Sequence, residues 1–156
     1  MYRIGFSKDK HNLVKGNGIS IGGINIECDR SPDAYSDGDV LFHALAESIY
    51  GALGMEDIGT YYNKKNKEKK FKSSCMIKDV NAILISKQFK IVNIDILIEL
   101  DKPNLTKYKD IIKDNVAMML GLSKEVIAIK ATTTEGNHPN LVTCYSNVLI
   151  KKEENY

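Results

Sequence analysis

Between Asn93 and Leu100 the chain alternates: Ile94, Ile96, Ile98 and Leu100 are apolar, while Asn93, Asp95 and Glu99 on the other face are polar, with Leu97 the one apolar residue among them. A period of two belongs to a strand with one face against a core, because successive side chains point to opposite sides of a sheet. Such a strand needs partners and a cover, and the rest of the sequence supplies both. Ile19 to Ile26 alternates around Gly22-Gly23, which predicts two short strands joined by a two-residue turn of the primed type. Val126 to Ala131 and Leu141 to Ile150 are further strand candidates.

Three segments carry helical spacing instead. The first is expected from about Asp39 to Leu53, with Asp37 and Asp39 at its amino end, where carboxylates favour the helix dipole, and Gly54 as its stop. The second covers about Ser74 to Lys87, with Met76, Val80, Ile83 and Leu84 on one side. The third covers about Lys107 to Leu120, with Ile111, Ile112, Val116, Met119 and Leu120 on one side and Gly121 closing it. Strands and helices mix without strict βαβ alternation, so the expected class is α+β. A length of 156 residues suits a single domain over 1–156.

Composition excludes several classes of function. Hydrophobic residues supply 43% and charged residues 27%, against the pattern of intrinsic disorder. The net charge is +2, so nothing global asks for a nucleic acid or a membrane. No apolar run approaches a bilayer span and no signal or transit segment opens the chain. The expectation is a soluble cytoplasmic protein, or a plastid one if a transit peptide has been removed. Cys28, Cys75 and Cys144 form no CxxC pair and are expected as free thiols in a reducing compartment. The block Lys64 to Lys70 is expected as a solvated loop that could also steer an anion.

The three histidines are His11, His43 and His138. Asp9-Lys10-His11 is a D-x-H triplet expected just after the first strand, where residues two apart in extended chain point the same way. His43 lies in the first turns of the first helix. Two imidazoles and a carboxylate make a zinc set with an open fourth position. Glu47, four residues on, is placed to steady His43. Lys130-Ala131-Thr132-Thr133-Thr134-Glu135 ends a strand in three hydroxyls and an acid, a set that offers donors to phosphate and an oxygen ligand to a hard cation. Neither D-x-H nor the threonine run is specific alone: the first is common on surfaces, and threonine favours strands. His138 is expected as a loop residue.

In order along the chain stand I-G-x₃-D-x-H, Ile-Gly-Gly, S-D-G-D-V-x₂-H-A, G-A-L-G-x₂-D-I-G and K-A-T-T-T-E. That order and spacing, from Arg3 to about Ile150, resembles the 2-C-methyl-D-erythritol 2,4-cyclodiphosphate synthase family. The resemblance implies a mixed sheet with helices packed on one face, and a homotrimer with sheets around the three-fold axis and an active site at each subunit interface. It places Asp9, His11 and His43 on one Zn²⁺ per subunit and Glu135 on Mg²⁺ or Mn²⁺. It gives catalytic roles to Ser36, Asp57, Thr133 and Glu135. Ser36 would contact phosphate, and Asp57 and Gly59 the erythritol. Leu100, Pro103, Asn104 and Leu105 would receive cytosine. Ala131, Thr132 and Thr133 of a neighbouring subunit would hold the cytidine and its phosphates. The implied reaction is cyclisation of 4-diphosphocytidyl-2-C-methyl-D-erythritol 2-phosphate with release of CMP, a phosphorus-oxygen lyase step of non-mevalonate isoprenoid synthesis. The partners implied are this small molecule and copies of the chain, with no nucleic acid and no membrane.

The pattern departs at three places. Tyr35 stands where the family has His, and Tyr62-Asn63-Lys64 where it has Phe-Pro-Asp, which removes a carboxylate near the erythritol. Only Gly136 to Asn140 precedes the last strand, where the family carries Gly-Arg-Gly-Glu-Gly beside a central isoprenoid cavity. These changes leave open a second reading, a non-catalytic trimer that keeps metal and nucleotide sites. A nucleic-acid module using Lys64 to Lys70 lacks a basic face or an aromatic platform.

Overall fold

The alternating segment is the distal part of a longer strand, and its neighbours build one five-stranded sheet. A computed structural model describes residues 1–154; positions 155 and 156 of the expected domain lie outside the described residues. In chain order the elements are β1 (Tyr2–Lys15), β2 (Ile19–Ile21), β3 (Ile24–Ile26), β4 (Arg30–Pro32), α1 (Val40–Ala52), α2 (Ile58–Tyr61), α3 (Ser74–Ser86), β5 (Phe89–Glu99), α4 (Lys109–Leu120), β6 (Ile127–Thr132) and β7 (Leu141–Lys152). The sheet order is β4-β1-β7-β5-β6, parallel only between β5 and β6. The architecture is therefore α+β with a mixed sheet, as the element pattern suggested.

The helices cover one face. On β1 the inward positions Gly5, Ser7 and Leu13 are buried. A Cβ at Gly5 would stand 1.7 Å from the Ser48 carbonyl oxygen, so only glycine lets α1 lie this close to the strand. From the same turn of α1, the Ser48 hydroxyl bonds Ser146 of β7 at 2.9 Å. The outward positions of β1 have no cover from this chain: Tyr2 is 60% exposed, Ile4 73% and Phe6 61%. No helix among the described residues is long and apolar enough to cross a membrane.

Gly22 and Gly23 both adopt positive φ, 59° and 78°, and turn β2 into β3 as their sequence predicts. The carboxylate of Asp39 receives this turn. Asp39 accepts from the amides of Gly22 (2.9 Å) and Gly23 (2.8 Å), and also caps α1 by accepting from Phe42 N–H at 3.0 Å. Burial pushes its carboxyl above the usual range, against the amides that hold it down.

Several local expectations need correction. The D-x-H triplet lies inside β1, not after it, because pairing to β7 continues through Asn12. Val126 ends a 3₁₀ turn before β6, and another such turn, Thr106–Tyr108, precedes α4. Ile111 does not join the core: it is 51% exposed, and Ile112, Val116, Ala117 and Leu120 form the buried stripe. The strand β5 also starts four residues earlier than its alternation, which is interrupted where pairing to β7 slips by one residue between Ile91 and Asn93.

Candidate metal centre and active site

Asp9 and His11 share the inward face of β1, two residues apart, and His43 projects from the first turn of α1 onto the same spot. Asp9 Oδ2 lies 3.0 Å from His11 Nε2 and 3.2 Å from His43 Nδ1. The imidazole rings stand edge to face with centroids 5.5 Å apart. One ligand atom from each residue falls within 4.8 Å of the others. Asp9 Oδ2 and His11 Nε2 are nevertheless buried without a hydrogen-bond partner. Buried polar atoms are normally satisfied, so two orphans aimed at one point are what a cation would satisfy. Burial alone would raise the Asp9 carboxyl, but the two imidazoles outweigh it and hold the group down at about 2. The carboxylate is thus ionised and ready to bind a metal.

The expected contact between Glu47 and His43 is not made. Glu47 Oε2 instead accepts a short hydrogen bond from Ser7 Oγ on β1, and Oε1 accepts from Ile58 N–H at 3.2 Å. Four residues on from His43, it ties down the start of α2, beside Asp57. Asp57 is exposed, and its carboxylate accepts from Thr60 Oγ1 at 2.8 Å. Ser36 is buried: its oxygen accepts from Gly38 N–H at 3.0 Å and lies 3.2 Å from His43 Nε2.

The second group of expected residues gathers elsewhere. Leu100, Asn104, Leu105, Ala131, Thr132 and Thr133 line one pocket of about 100 Å³ where β5 and β6 end together. Pro103, which follows a cis peptide bond, and Thr133 also line an adjoining cavity of about 960 Å³. Thr134, the third threonine, does not face the pocket. It is buried, and its hydroxyl and amide both bind Asp101, at 2.7 Å and 2.6 Å to Oδ1. Those hydrogen bonds hold the Asp101 carboxyl below the usual range. Glu135 is exposed with φ of 57°, and its amide donates to Thr133 Oγ1 at 3.2 Å. His138 lies exposed in the turn that follows.

Sequence reasoning missed Asp101 and Arg30. The Arg30 guanidinium donates to the carbonyls of Pro139 and Lys102, so it clamps both loops that border the larger cavity. An isolated arginine and an isolated aspartate carry no pattern that would have revealed this.

The two groups lie at opposite margins of the sheet. Asp9 pairs with Cys144, Cys144 with Ile98, and Ile98 with Ala131, which spans three strand spacings, roughly 14 Å. Cys144 and Ile98 between them are fully buried.

Residues 2–151 match the model of the YgbB family. The chain belongs to the YgbB family. A relative from Fusobacterium nucleatum, named 2-C-methyl-D-erythritol 2,4-cyclodiphosphate synthase, is 38% identical over 160 residues and covers 99% of each chain. Among solved structures, the bifunctional IspDF of Campylobacter jejuni superposes with a TM-score of 0.92 at 31% identity. It covers 99% of this chain, which spans only 43% of that longer protein. The Plasmodium falciparum IspF complex with CDP superposes with a TM-score of 0.86 at 28% identity, covering 98% of this chain and 97% of the other.

The loop near the metal cluster is tied down at Tyr35. Tyr35 donates its hydroxyl to the Lys67 carbonyl at 2.9 Å, and its own carbonyl accepts from Lys70 N–H at 2.6 Å. Lys64 Nζ sits 5.6 Å above the Tyr35 ring. The Lys-rich segment is mostly exposed, as expected of a solvated loop, yet it is stitched to Tyr35. Tyr62 hydrogen-bonds Asp79 at 2.6 Å and lies 3.2 Å from the Tyr50 hydroxyl, and burial with these partners pushes its phenol well up. Cys28 and Cys75 are partly buried and Cys144 is buried, all as free thiols.

Proposed function

We propose that this chain converts 4-diphosphocytidyl-2-C-methyl-D-erythritol 2-phosphate into 2-C-methyl-D-erythritol 2,4-cyclodiphosphate and CMP, in non-mevalonate isoprenoid synthesis. The observation that carries this reading is the metal cluster, with its orphaned Asp9 and His11 atoms, in a chain that matches the synthases over its whole length. An oxygen of the 2-phosphate forms a bond to the β-phosphorus. The bond from that phosphorus to the bridging oxygen breaks, and CMP leaves with the electron pair. A phosphate nucleophile is already anionic, so no side chain has to deprotonate it.

Asp9, His11 and His43 would hold Zn²⁺, a Lewis acid that would draw charge from the phosphate oxygens when bound. Glu135 offers one carboxylate to Mg²⁺ or Mn²⁺; such ions are commonly held by one or two carboxylates together with substrate phosphates. Thr132 and Thr133 supply hydroxyls to the cytidine phosphates, and Leu100 to Leu105 with Ala131 supply an enclosed edge for the base. Ser36 orients phosphate beside the cluster, while Asp57 and Gly59 bind the erythritol hydroxyls. The work of these residues is positioning: a ring closes when the two phosphates are held in line.

The same reading requires more than one copy. Within a chain the metal group and the nucleotide group stand roughly 14 Å apart with packed core between them. The bare strip Tyr2, Ile4 and Phe6 is large for a lone subunit surface. Both features support a homotrimer in which sheets meet around a three-fold axis and each site takes its metal from one copy and its nucleotide from the next.

The test is direct. Purified chain supplied with Zn²⁺, Mg²⁺ and substrate should release CMP and form the cyclic diphosphate, detected by phosphorus NMR. Zinc-loaded chain with no turnover above the enzyme-free control would overturn the reading. Sedimentation should give three times the chain mass, and Ile4→Lys should lower it.

A further inference from the structure

The ring of His43 is held from behind by a closed set of hydrogen bonds. Its Nε2 lies 2.7 Å from Ser73 Oγ, on the side away from Asp9. Ser73 is fully buried and donates its hydroxyl proton to Asp37 Oδ1. Asp37 Oδ2 accepts from Ser73 N–H at 3.0 Å, and its Oδ1 also accepts from Asp39 N–H at 3.2 Å.

Counting protons along this line favours one arrangement over Nδ1–H donation to Asp9, because Ser73 Oγ lies closer to the ring than Asp9 Oδ2, 2.7 Å against 3.2 Å. A carboxylate only accepts, so the single proton of Ser73 Oγ is committed to Asp37. Ser73 Oγ then offers only lone pairs to His43, and Nε2 must bring the proton. A neutral imidazole protonated at Nε2 has its lone pair on Nδ1. Nδ1 is the atom that faces Asp9 Oδ2.

The position of Ser73 adds an independent observation. It is the residue before α3, where a serine ordinarily turns its oxygen onto the first amides of the helix. Here the side chain makes no such cap. Its hydroxyl spans from His43 to Asp37 instead, which leaves a helix start without its usual ligand in favour of a contact with the ring.

We propose that Ser73 and Asp37 are positioning residues that fix the tautomer of His43, so that its Nδ1 lone pair is presented to a divalent cation. This inference rests on the reading of Asp9, His11 and His43 as the metal centre. Ser36, whose oxygen also lies 3.2 Å from Nε2, gives a longer, secondary contact. Groups behind a ligating histidine commonly govern metal affinity by about 10–100-fold.

The tautomer can be read on metal-free, full-length protein by nitrogen-15 NMR of the imidazoles at mildly alkaline pH. Wild-type His43 should carry its proton on Nε2, and Ser73→Ala should give a mixture. Asp37→Ala frees the Ser73 hydroxyl to turn toward Nε2, so it should shift His43 further toward Nδ1–H. Zinc competition against a chelator should show Ser73→Ala binding about 10–100-fold more weakly, with Asp37→Ala at least as weak. The thermal midpoint of each metal-free variant monitors folding; a purely structural role would lower it without moving the tautomer. A wild-type His43 protonated at Nδ1, or wild-type zinc affinity in both variants, would overturn the proposal. If one variant fails to fold, the other and the wild-type tautomer still decide it. Turnover is scored separately: a wild-type chain that binds zinc but makes no product overturns the catalytic reading and leaves the tautomer result to stand by itself.

Discussion

The metal cluster and the proposed nucleotide side of this molecule are built in different ways. Asp9, His11 and His43 lie on a long strand and a helix pressed together at Gly5, and the far nitrogen of His43 is itself tied down. The residues proposed to hold the nucleotide lie where β5 and β6 run out, on loops held by the Asp101–Thr134 bonds and the Arg30 clamp. Ligands of an ion must be fixed to fractions of an ångström, and regular elements do this best. A base and its phosphates need an outline with donors, which strand ends and loops can give.

The sharpest way to break the contrast is His43→Ala. It should weaken zinc binding by about 10²–10³-fold, as loss of one of a few ligands implies, and abolish turnover while CDP still binds; retained turnover would refute the ligand set. Glu47→Ala comes next. It strands the Ser7 hydroxyl and the Ile58 amide at about 1–3 kcal/mol, so kcat/KM should fall about tenfold with zinc affinity unchanged. A parallel loss of zinc would show that Glu47 serves the cluster and not the Asp57 segment.

Thr134→Val tests the other side. It removes the hydroxyl bonds to Asp101, worth about 1–2 kcal/mol, so KM should rise about five- to thirtyfold, in proportion to that energy, with calorimetric zinc binding intact. The smallest effect belongs to Tyr35→Phe, which removes one bond to the Lys67 carbonyl at less than about 1 kcal/mol. A two- to threefold rise in KM, larger at high salt, is expected. A collapse of activity would mean the loop contact matters more than its energy suggests.

The contrast also marks what the sequence could tell. The strand at Asn93–Leu100, the Gly22-Gly23 turn and the three long helices were legible because periodicity and turn chemistry are local. The metal triad was legible as residue types, since D-x-H in extended chain points both groups one way. Its wrong placement after β1, not within it, came from the unbroken polar run Ser7 to Asn12, which shows no alternation although pairing to β7 carries the strand through it. Partners set by tertiary contact were not legible. Glu47 sits at helical spacing from His43, yet Ser7 and Ile58 claim it. Ile111 has the right spacing for the core, but α4 turns it outward. Arg30, Asp101 and Ser73 act across distances in sequence that no motif spans.

The opposite placement of the two residue groups has a consequence for mixed populations. In the proposed ring no polypeptide owns an active site; each owns two unlike halves of different sites. Chains lacking the metal half and chains lacking the nucleotide half would each be inert. Mixed in equal amounts and reassembled at random, they would regain about a quarter of the intact sites, by the cyclic symmetry of the contacts. Damage to one copy would therefore be partly hidden by its neighbours.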